Sequence, residues 1–402
     1  MRVLVSGASI AGPVLAYWLN HYGFDVTVVE RAPALRKTGG HAVDLFRPAL
    51  EISEKMGVLP LIEARTTGTD RLVMYREGHP KPHSIDLTKA VGATSDRHVE
   101  IMRDDLSEIY YDAARADVEY LFGDSITEIG HDGDVTFENA PTRTFDIIVG
   151  ADGLHSNVRR LTFGDNPKHT RFIGGYLAVE SVPQDLAVAG EMTTHFGVGR
   201  MATIYTADHL DDARVIFLFR SAQKHDYDHR DAARQKDILR EAFAGMHPQV
   251  DSWLAEVERT PAFYFDAISQ LRLDRWSRRR VTLVGDAGYC PGPVVGGSTS
   301  LAVFGAYVLA GELARAGGET LPAFAAYELA MRQPVYRSEV FARGVARTLL
   351  PRSRAGLWAL TSGAQLMSGM PGSFPRRLAN LSGKSLRVHE SFDVPDYSDL
   401  DT

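Results

Sequence analysis

Glycine-rich turns at the ends of short apolar runs, each with a carboxylate close by, are the parts of this chain best suited to chemistry. Gly7-Ala8-Ser9-Ile10-Ala11-Gly12 follows the run Val3-Leu4-Val5. It opens the stretch Ala11 to Tyr22, which sets Val14, Leu15, Trp18 and Leu19 on one helical face. A tight turn feeding a helix offers free backbone N–H groups to a phosphate. Gly7 would supply the turn and Gly12 the close packing of helix on strand, with Ser9 where the dinucleotide fingerprint has glycine. Glu30, with Arg31 beside it, closes the next apolar run, where a carboxylate can accept hydrogen bonds from ribose hydroxyls. The pattern points to a dinucleotide without separating NAD from FAD.

Two later segments are more specific. Asp146-Ile147-Ile148-Val149-Gly150 continues into Ala151-Asp152-Gly153-Leu154-His155-Ser156-Asn157-Val158-Arg159. Val284-Gly285-Asp286-Ala287-Gly288 continues through Cys290 and Pro293 to Gly296-Gly297-Ser298-Thr299-Ser300. With these motifs the sequence resembles the para-hydroxybenzoate hydroxylase family of FAD-dependent aromatic hydroxylases. It is most similar to the branch with tetracycline-inactivating and polyketide-tailoring monooxygenases. The resemblance covers roughly residues 1–65, 98–165 and 276–330.

The resemblance implies that Gly7, Ser9, Ile10, Ala11, Gly12, Glu30 and Arg31 hold the dinucleotide portion of FAD. Asp152 and Gly153 would lie beside the pyrophosphate, and Arg103 and Asp286 would reach the flavin chain. Gly285 would let the backbone pass close to the cofactor. The helix beginning near Gly296, with Pro293, Gly297, Ser298 and Thr299, would aim amides at the flavin's pyrimidine edge, where a helix N-terminus favours negative charge. Gly39, Gly40 and Asp44 also follow the branch. Ser298 stands where a glycine is expected, and Phe46-Arg47 replaces an arginine–glycine pair. The implied reaction is reduction of FAD by NAD(P)H as co-substrate, reaction with O2 to a C4a-hydroperoxide, and hydroxylation of a small aromatic, phenolic or polyketide-type molecule. The cofactor carries the oxidation, so no catalytic side chain is singled out. The alternatives are a flavin-scaffolded cyclase or binding protein without net redox turnover, and an epoxidase or Baeyer–Villiger variant.

Positioning such a site requires an α/β fold: a Rossmann-like FAD-binding domain, an inserted, mainly antiparallel β-sheet substrate domain and a C-terminal helical segment. The expected boundaries are 1–70, 96–170 and 279–330 for the FAD-binding domain and 71–95 with 171–278 for the substrate domain. Residues 331–385 would be helical and 386–402 a loosely held acidic tail. The runs ending at Gly7, Gly150 and Gly285 should share one sheet. In the inserted sheet, Met201, Thr203 and Tyr205 share one strand face, Phe217 and Phe219 another, and Tyr264 lies on a further segment. All six are candidates for a dry substrate pocket facing the flavin.

Bulk properties narrow the class. A chain of 402 residues exceeds one core and calls for two domains or more. A net charge of -7 disfavours nucleic acid and anionic membranes as partners. The single Cys290 permits no internal disulfide and fits a reducing cytoplasm. No signal segment or membrane span is expected, and a monomer or homodimer would serve. His225 and His229 share a helical spacing but lack a third ligand, so no metal is expected. Arg278-Arg279-Arg280 reads as a surface turn and Arg220 as a surface ion pair. Tyr336, Val340, Val345 and Leu349 form an apolar stripe expected to pack within the molecule.

Overall fold

The computed structural model describes residues 1–35, 40–87, 97–164, 167–227, 231–260, 263–292, 297–368 and 392–400. Gly39, His229, Pro293 and Gly296 lie outside the described residues, as does the side chain of Val345.

The chain opens with β1 (Arg2–Ser6), α1 (Ala11–His21) and β2 (Asp25–Glu30), and the two strands lie parallel. Val3, Leu4 and Val5 are wholly buried, as a central strand of a parallel sheet requires. Gly23 turns the chain after α1 in the left-handed region, φ 81°, where a side chain would be strained. Next come β3 (Ala42–Phe46), α2 (Arg47–Lys55), α3 (Leu59–Ala64), β4 (Arg71–Arg76), β5 (His79–Asp86) and β6 (His98–Met102). After α4 (Arg103–Ala114) and β7 (Glu119–Phe122) there is an antiparallel meander, β8 (Ile126–Ile129), β9 (Asp134–Phe137) and β10 (Arg143–Thr144). Then β11 (Ile147–Gly150) enters the parallel sheet and α5 (Asn157–Phe163) follows it.

The texture then turns antiparallel: β12 (Thr170–Pro183), β13 (Glu191–Gly197), β14 (Arg200–Tyr205) and β15 (Asp212–Arg220). Two amphipathic helices, α6 (Ala232–Phe243) and α7 (Pro248–Arg259), precede β16 (Tyr264–Leu271). The chain returns through β17 (Ser277–Arg278), β18 (Val281–Leu283) and the short α8 (Asp286–Tyr289). It ends in α9 (Ser298–Arg315), α10 (Thr320–Leu349) and α11 (Arg354–Ser368).

Two large sheets result. One is ordered β17-β18-β11-β1-β2-β7, parallel throughout except for β17. The strands ending at Gly7, Gly150 and Gly285 are neighbours in it, so their turns gather at one sheet end, where open α/β sheets bind ligands. The other is ordered β16-β12-β15-β14-β13-β4-β5, antiparallel except between β13 and β4. β3 and β6 form a separate antiparallel ribbon, bonded to the second sheet through Tyr205 and to α9 through Ser300.

The antiparallel sheet is buried on both faces. Phe217 and Phe219 pack with Tyr176, Phe243 and Trp253 beneath α6 and α7. They are therefore core on the face turned from the flavin domain, not pocket, which corrects the sequence reading. The opposite face carries Leu177, Val179, Leu218 and Ile268, with Met201 and Ile216 at its margin. Leu350, at the end of α10, and Leu357 of α11 pack on this second face. Arg220 Nη1 donates to the Leu350 carbonyl at 2.9 Å, which fastens the end of β15 to the end of α10.

Two further expectations need correction. Tyr336 and Val340 are exposed, because α10 buries Met331, Val335, Ser338 and Phe341 instead. The final segment is not loose over 392–400: Phe392 and Tyr397 are buried in the main core, and the Tyr397 hydroxyl donates to Glu312 at 2.8 Å.

Candidate functional site

The first turn is built to admit something against backbone. Gly7 has φ 107°, and its N–H donates to the Val29 carbonyl at 2.8 Å. A Cβ on Gly12 would lie 1.9 Å from the Gly7 carbonyl oxygen, so α1 presses directly on the turn. Ile10 precedes α1 and Ala11 is its first residue, and no side chain caps the helix. The Glu30 carboxylate accepts from the amides of Ala8 at 3.0 Å and Ala32 at 2.8 Å, locking the end of β2 to the turn. Arg31 next to it is exposed.

Arg103, the first residue of α4, extends an exposed guanidinium across this turn. Its Nη2 donates to the Ser9 hydroxyl at 3.1 Å, while Ser107 holds the Ser9 carbonyl at 3.0 Å. Serine in place of glycine thus supplies a hydroxyl that fixes the arginine. Burial raises the Asp286 carboxyl, and the Arg103 charge pulls it back down. Burial and the same arginine push His41 down to about 4, keeping its ring neutral.

Gly285 before Asp286 sits at φ 64° and ψ -145°, a region open only to glycine. A Cβ there would crowd Ala11 at 3.3 Å and Ala302 at 3.4 Å. Gly297 (φ 86°) leads into α9, whose first residues, Ser298 and Thr299, are half-buried. Ser300 ties that helix start to β3: its hydroxyl accepts from the Phe46 amide at 3.0 Å and donates to the Asp44 carbonyl at 3.2 Å.

The Asp152 side chain does local work. It accepts from the amides of Asn157 at 2.8 Å and Val158 at 3.1 Å and from the Ser156 hydroxyl, which leads the chain into α5. Gly153, φ 78°, follows it. Arg159, the last residue of the same motif, has a role that the motif alone does not assign. It donates to the carbonyls of Leu154 and Ala287, clasping the Asp152 loop to the Asp286 segment. His155, in the loop before α5, pairs with Asp266 of β16 at 2.8 Å and so joins the turn to the second sheet.

The other pocket candidates divide by strand parity. Met201, Thr203 and Tyr205 lie opposite Leu218, Ile216 and Arg214, on the face away from α6 and α7. Thr203 is buried and bonded to Thr194 at 2.7 Å, and the Tyr205 hydroxyl accepts from the Ala42 amide at 2.7 Å. Tyr264 shares this face through its partner Val179 and is 37% exposed. Met201 and Ile216 are half-buried there, and Ile216 was missed because β15 is apolar on both sides.

Cys290 is buried, and burial then Asp286 hold its thiol well above the usual range. His225 donates its amide to the Tyr176 hydroxyl. No cluster of metal-ligating side chains exists among the described residues. A cavity of about 300 Å³ beside Tyr75, His195 and His247, and one of about 970 Å³ beside Arg275, Phe324 and Arg332, are lined by none of the cradle residues. No described helix is long and apolar enough to cross a membrane.

These residues fit FAD. Glycines that no side chain can replace line a turn, an exposed arginine spans it, and an uncapped helix start lies beside the Gly285-Asp286 turn. The family model described as an FAD binding domain matches residues 1–321. An uncharacterised protein of Mycobacterium tuberculosis, Rv1260, is 42% identical over 346 residues, covering 84% of this chain and 91% of the relative. A flavin-dependent monooxygenase from an unknown prokaryotic organism is 37% identical over 352 residues, covering 87% of this chain and 90% of the relative. The crystal structure of the tetracycline destructase Tet(55) superposes with a TM-score of 0.82 at 32% identity, covering 98% of each chain. The cradle and these likenesses agree, and the chain belongs to the FAD-binding-domain family and is an FAD-dependent monooxygenase of the aromatic-hydroxylase kind.

Proposed function

We propose that the chain uses NAD(P)H and O2 to hydroxylate a small phenolic, enolic or polyketide-type aromatic molecule. The observation that carries this reading is the attachment of the cradle segments to the antiparallel sheet: the Leu271 amide of β16 donates to the Cys290 carbonyl at 2.9 Å, and His155 pairs with Asp266 at 2.8 Å. Bound FAD supplies the hydride-accepting and O2-activating chemistry, and the protein supplies binding, orientation and dryness.

Gly7, Ser9, Ile10, Ala11, Gly12 and Glu30 hold the dinucleotide part, with Arg31 at its edge. Arg103 and Asp286 hold the chain between the two ends, and Gly153 leaves room beside them. Gly297, Ser298 and Thr299 offer amides to the ring edge, where a helix N-terminus favours negative charge by about 0.3–1 kcal/mol. Met201 and Tyr264 meet the substrate, and Tyr205 acts indirectly by holding Ala42. Residues 1–70, 96–170 and 279–330 serve the cofactor, and 71–95 with 171–278 serve the substrate. Supporting a polycyclic substrate is the likeness to proteins called tetracycline destructases, Tet(55) and Tet(51).

The test is NAD(P)H consumption by FAD-loaded protein with and without phenolic and polyketide compounds, with H2O2 measured alongside. Substrate-stimulated consumption with little H2O2 is expected. A bound flavin that neither coenzyme reduces would overturn the reading in favour of a flavin scaffold without redox turnover.

A further inference from the structure

The β3–β6 ribbon carries a group of ionisable side chains that the binding scheme leaves without a task. Asp44 and Glu100 are direct cross-strand partners, so their side chains leave the same face side by side. Two carboxylates so placed repel. The neighbours are arranged to manage that charge. His98 Nε2 donates to Asp44 Oδ1 at 2.6 Å, and the Thr67 hydroxyl donates to Glu100 Oε2 at 2.9 Å.

The groups facing this pair come from every element around it. They are Asp44 and the neutral ring of His41 on and beside β3, His98 on β6, Thr67 before β4, and Tyr205 and Arg214 on the second sheet. Arg214 is only 2% exposed and is engaged by Asp212, by Asp104 and by the Gly40 carbonyl. Arg103 is engaged by Ser9. Neither cation is bonded to Glu100, so burial and then Asp44 push that carboxyl up to about 7. The same ribbon is bolted to the start of α9, since Ser300 bonds both the Asp44 carbonyl and the Phe46 amide.

We propose that Glu100, with Asp44 and His98, is a proton-holding positioning set that takes up one proton when the flavin cradle gains negative charge and releases it when that charge leaves. The proposal rests on the flavin reading above. Two electrons and one proton delivered to the cofactor by NAD(P)H as hydride leave one net negative charge in the cradle. A second proton, taken from water, converts the Glu100 carboxylate to the acid and cancels that charge. On reoxidation the O–H bond breaks and the proton returns to water. Because Asp44 and Phe46 share Ser300 with α9, the set keeps the helix start in place in both charge states.

The experiment is the pH dependence of the bound flavin's midpoint potential, read spectroscopically against reference dyes from about pH 7 to about pH 9. Its slope counts protons taken up per pair of electrons. Native protein should take up between one and two in this range, and Glu100→Gln only one at every pH. Asp44→Asn should retain the extra proton but move its window to lower pH, because burial still raises Glu100 while the added push of the Asp44 charge is gone. Equal counts in native protein and Glu100→Gln, or a count of one in native protein throughout, would overturn the proposal while leaving the flavin reading intact. Protein that retains no FAD would overturn both.

Discussion

The Tyr205 hydroxyl accepts a hydrogen bond from the Ala42 amide at 2.7 Å, and this bond joins the antiparallel sheet to the β3–β6 ribbon. Tyr205 is buried to 1% exposure. Tyr205→Phe keeps the ring and leaves the Ala42 N–H without its acceptor, which costs about 1–3 kcal/mol when the donor is buried. Urea unfolding should show that loss, together with weaker FAD binding, because β3 is also the strand that Ser300 ties to α9. A variant as stable as the native protein would mean that water replaces the hydroxyl.

Arg103 makes the opposite trade. Its side chain is exposed and its one bond in this turn is to Ser9 at 3.1 Å, so it adds little to the stability of the protein without cofactor. A charge-assisted bond to the cofactor is worth roughly 1.5–3 kcal/mol. Arg103→Ala should therefore weaken FAD binding by about ten- to a hundredfold while leaving the thermal midpoint of the apoprotein nearly unchanged. Flavin fluorescence titration and a melting curve on the same sample decide the matter. A large fall in melting temperature with unchanged affinity would assign Arg103 to the fold rather than to the cofactor.

What could be read in advance was what is local. Gly7, Gly12 and Gly285 announce themselves because each serves a turn a few residues long, and a turn needs no distant partner to be recognised. The parity of β15 did not announce itself. Val215-Ile216-Phe217-Leu218-Phe219 is apolar without a break because both faces of the sheet are covered. Alternation therefore gave no clue that Phe217 and Phe219 turn towards α6 and α7 while Ile216 and Leu218 turn to the opposite face, where Leu350 packs. Asp44, His98 and Glu100 are invisible as a group for another reason. They meet only through a ribbon whose two strands are separated by α2, α3, β4 and β5.

The end of the chain misled for a related reason: its acidic composition hides three aromatic contacts. Tyr397 packs edge-on to Tyr307 at 5.2 Å, Arg315 stacks over its ring at 4.6 Å, and Gly311 leaves the slot in which the ring sits. Phe392 reaches Phe304, and its carbonyl accepts from Arg47 at 2.9 Å, directly after β3. Removing a buried aromatic side chain costs about 3–5 kcal/mol. Tyr397→Ala should lower the unfolding free energy by that order, seen in a urea titration. An unchanged midpoint would show that the segment is dispensable to the fold.

Glu180 gives the clearest pH signature. It lies on β12 at 4% exposure, and burial pushes its carboxyl from 4.5 up to about 7 despite the Ser181 amide and the nearby charges of Lys236 and Arg214. A raised carboxyl binds its proton more tightly folded than unfolded, so its contribution is fully present below 4.5 and is lost as pH rises through about 7. Glu100 has the same sign. His41 and His195, pushed down from 6.5 to about 4 by burial, have the opposite sign: their contribution is present above 6.5 and is lost as pH falls through about 4. In the native protein the two pairs act in opposite directions between these limits, so the total stability does not isolate Glu180. Glu180→Gln takes away one carboxyl and leaves both histidines. Its stability relative to the native protein should climb with pH, by on the order of 3 kcal/mol by about pH 7. Urea unfolding of both proteins across that range measures the difference directly. A difference that stays constant with pH would mean that Glu180 titrates alike in the folded and unfolded chain, and that its burial is relieved by water.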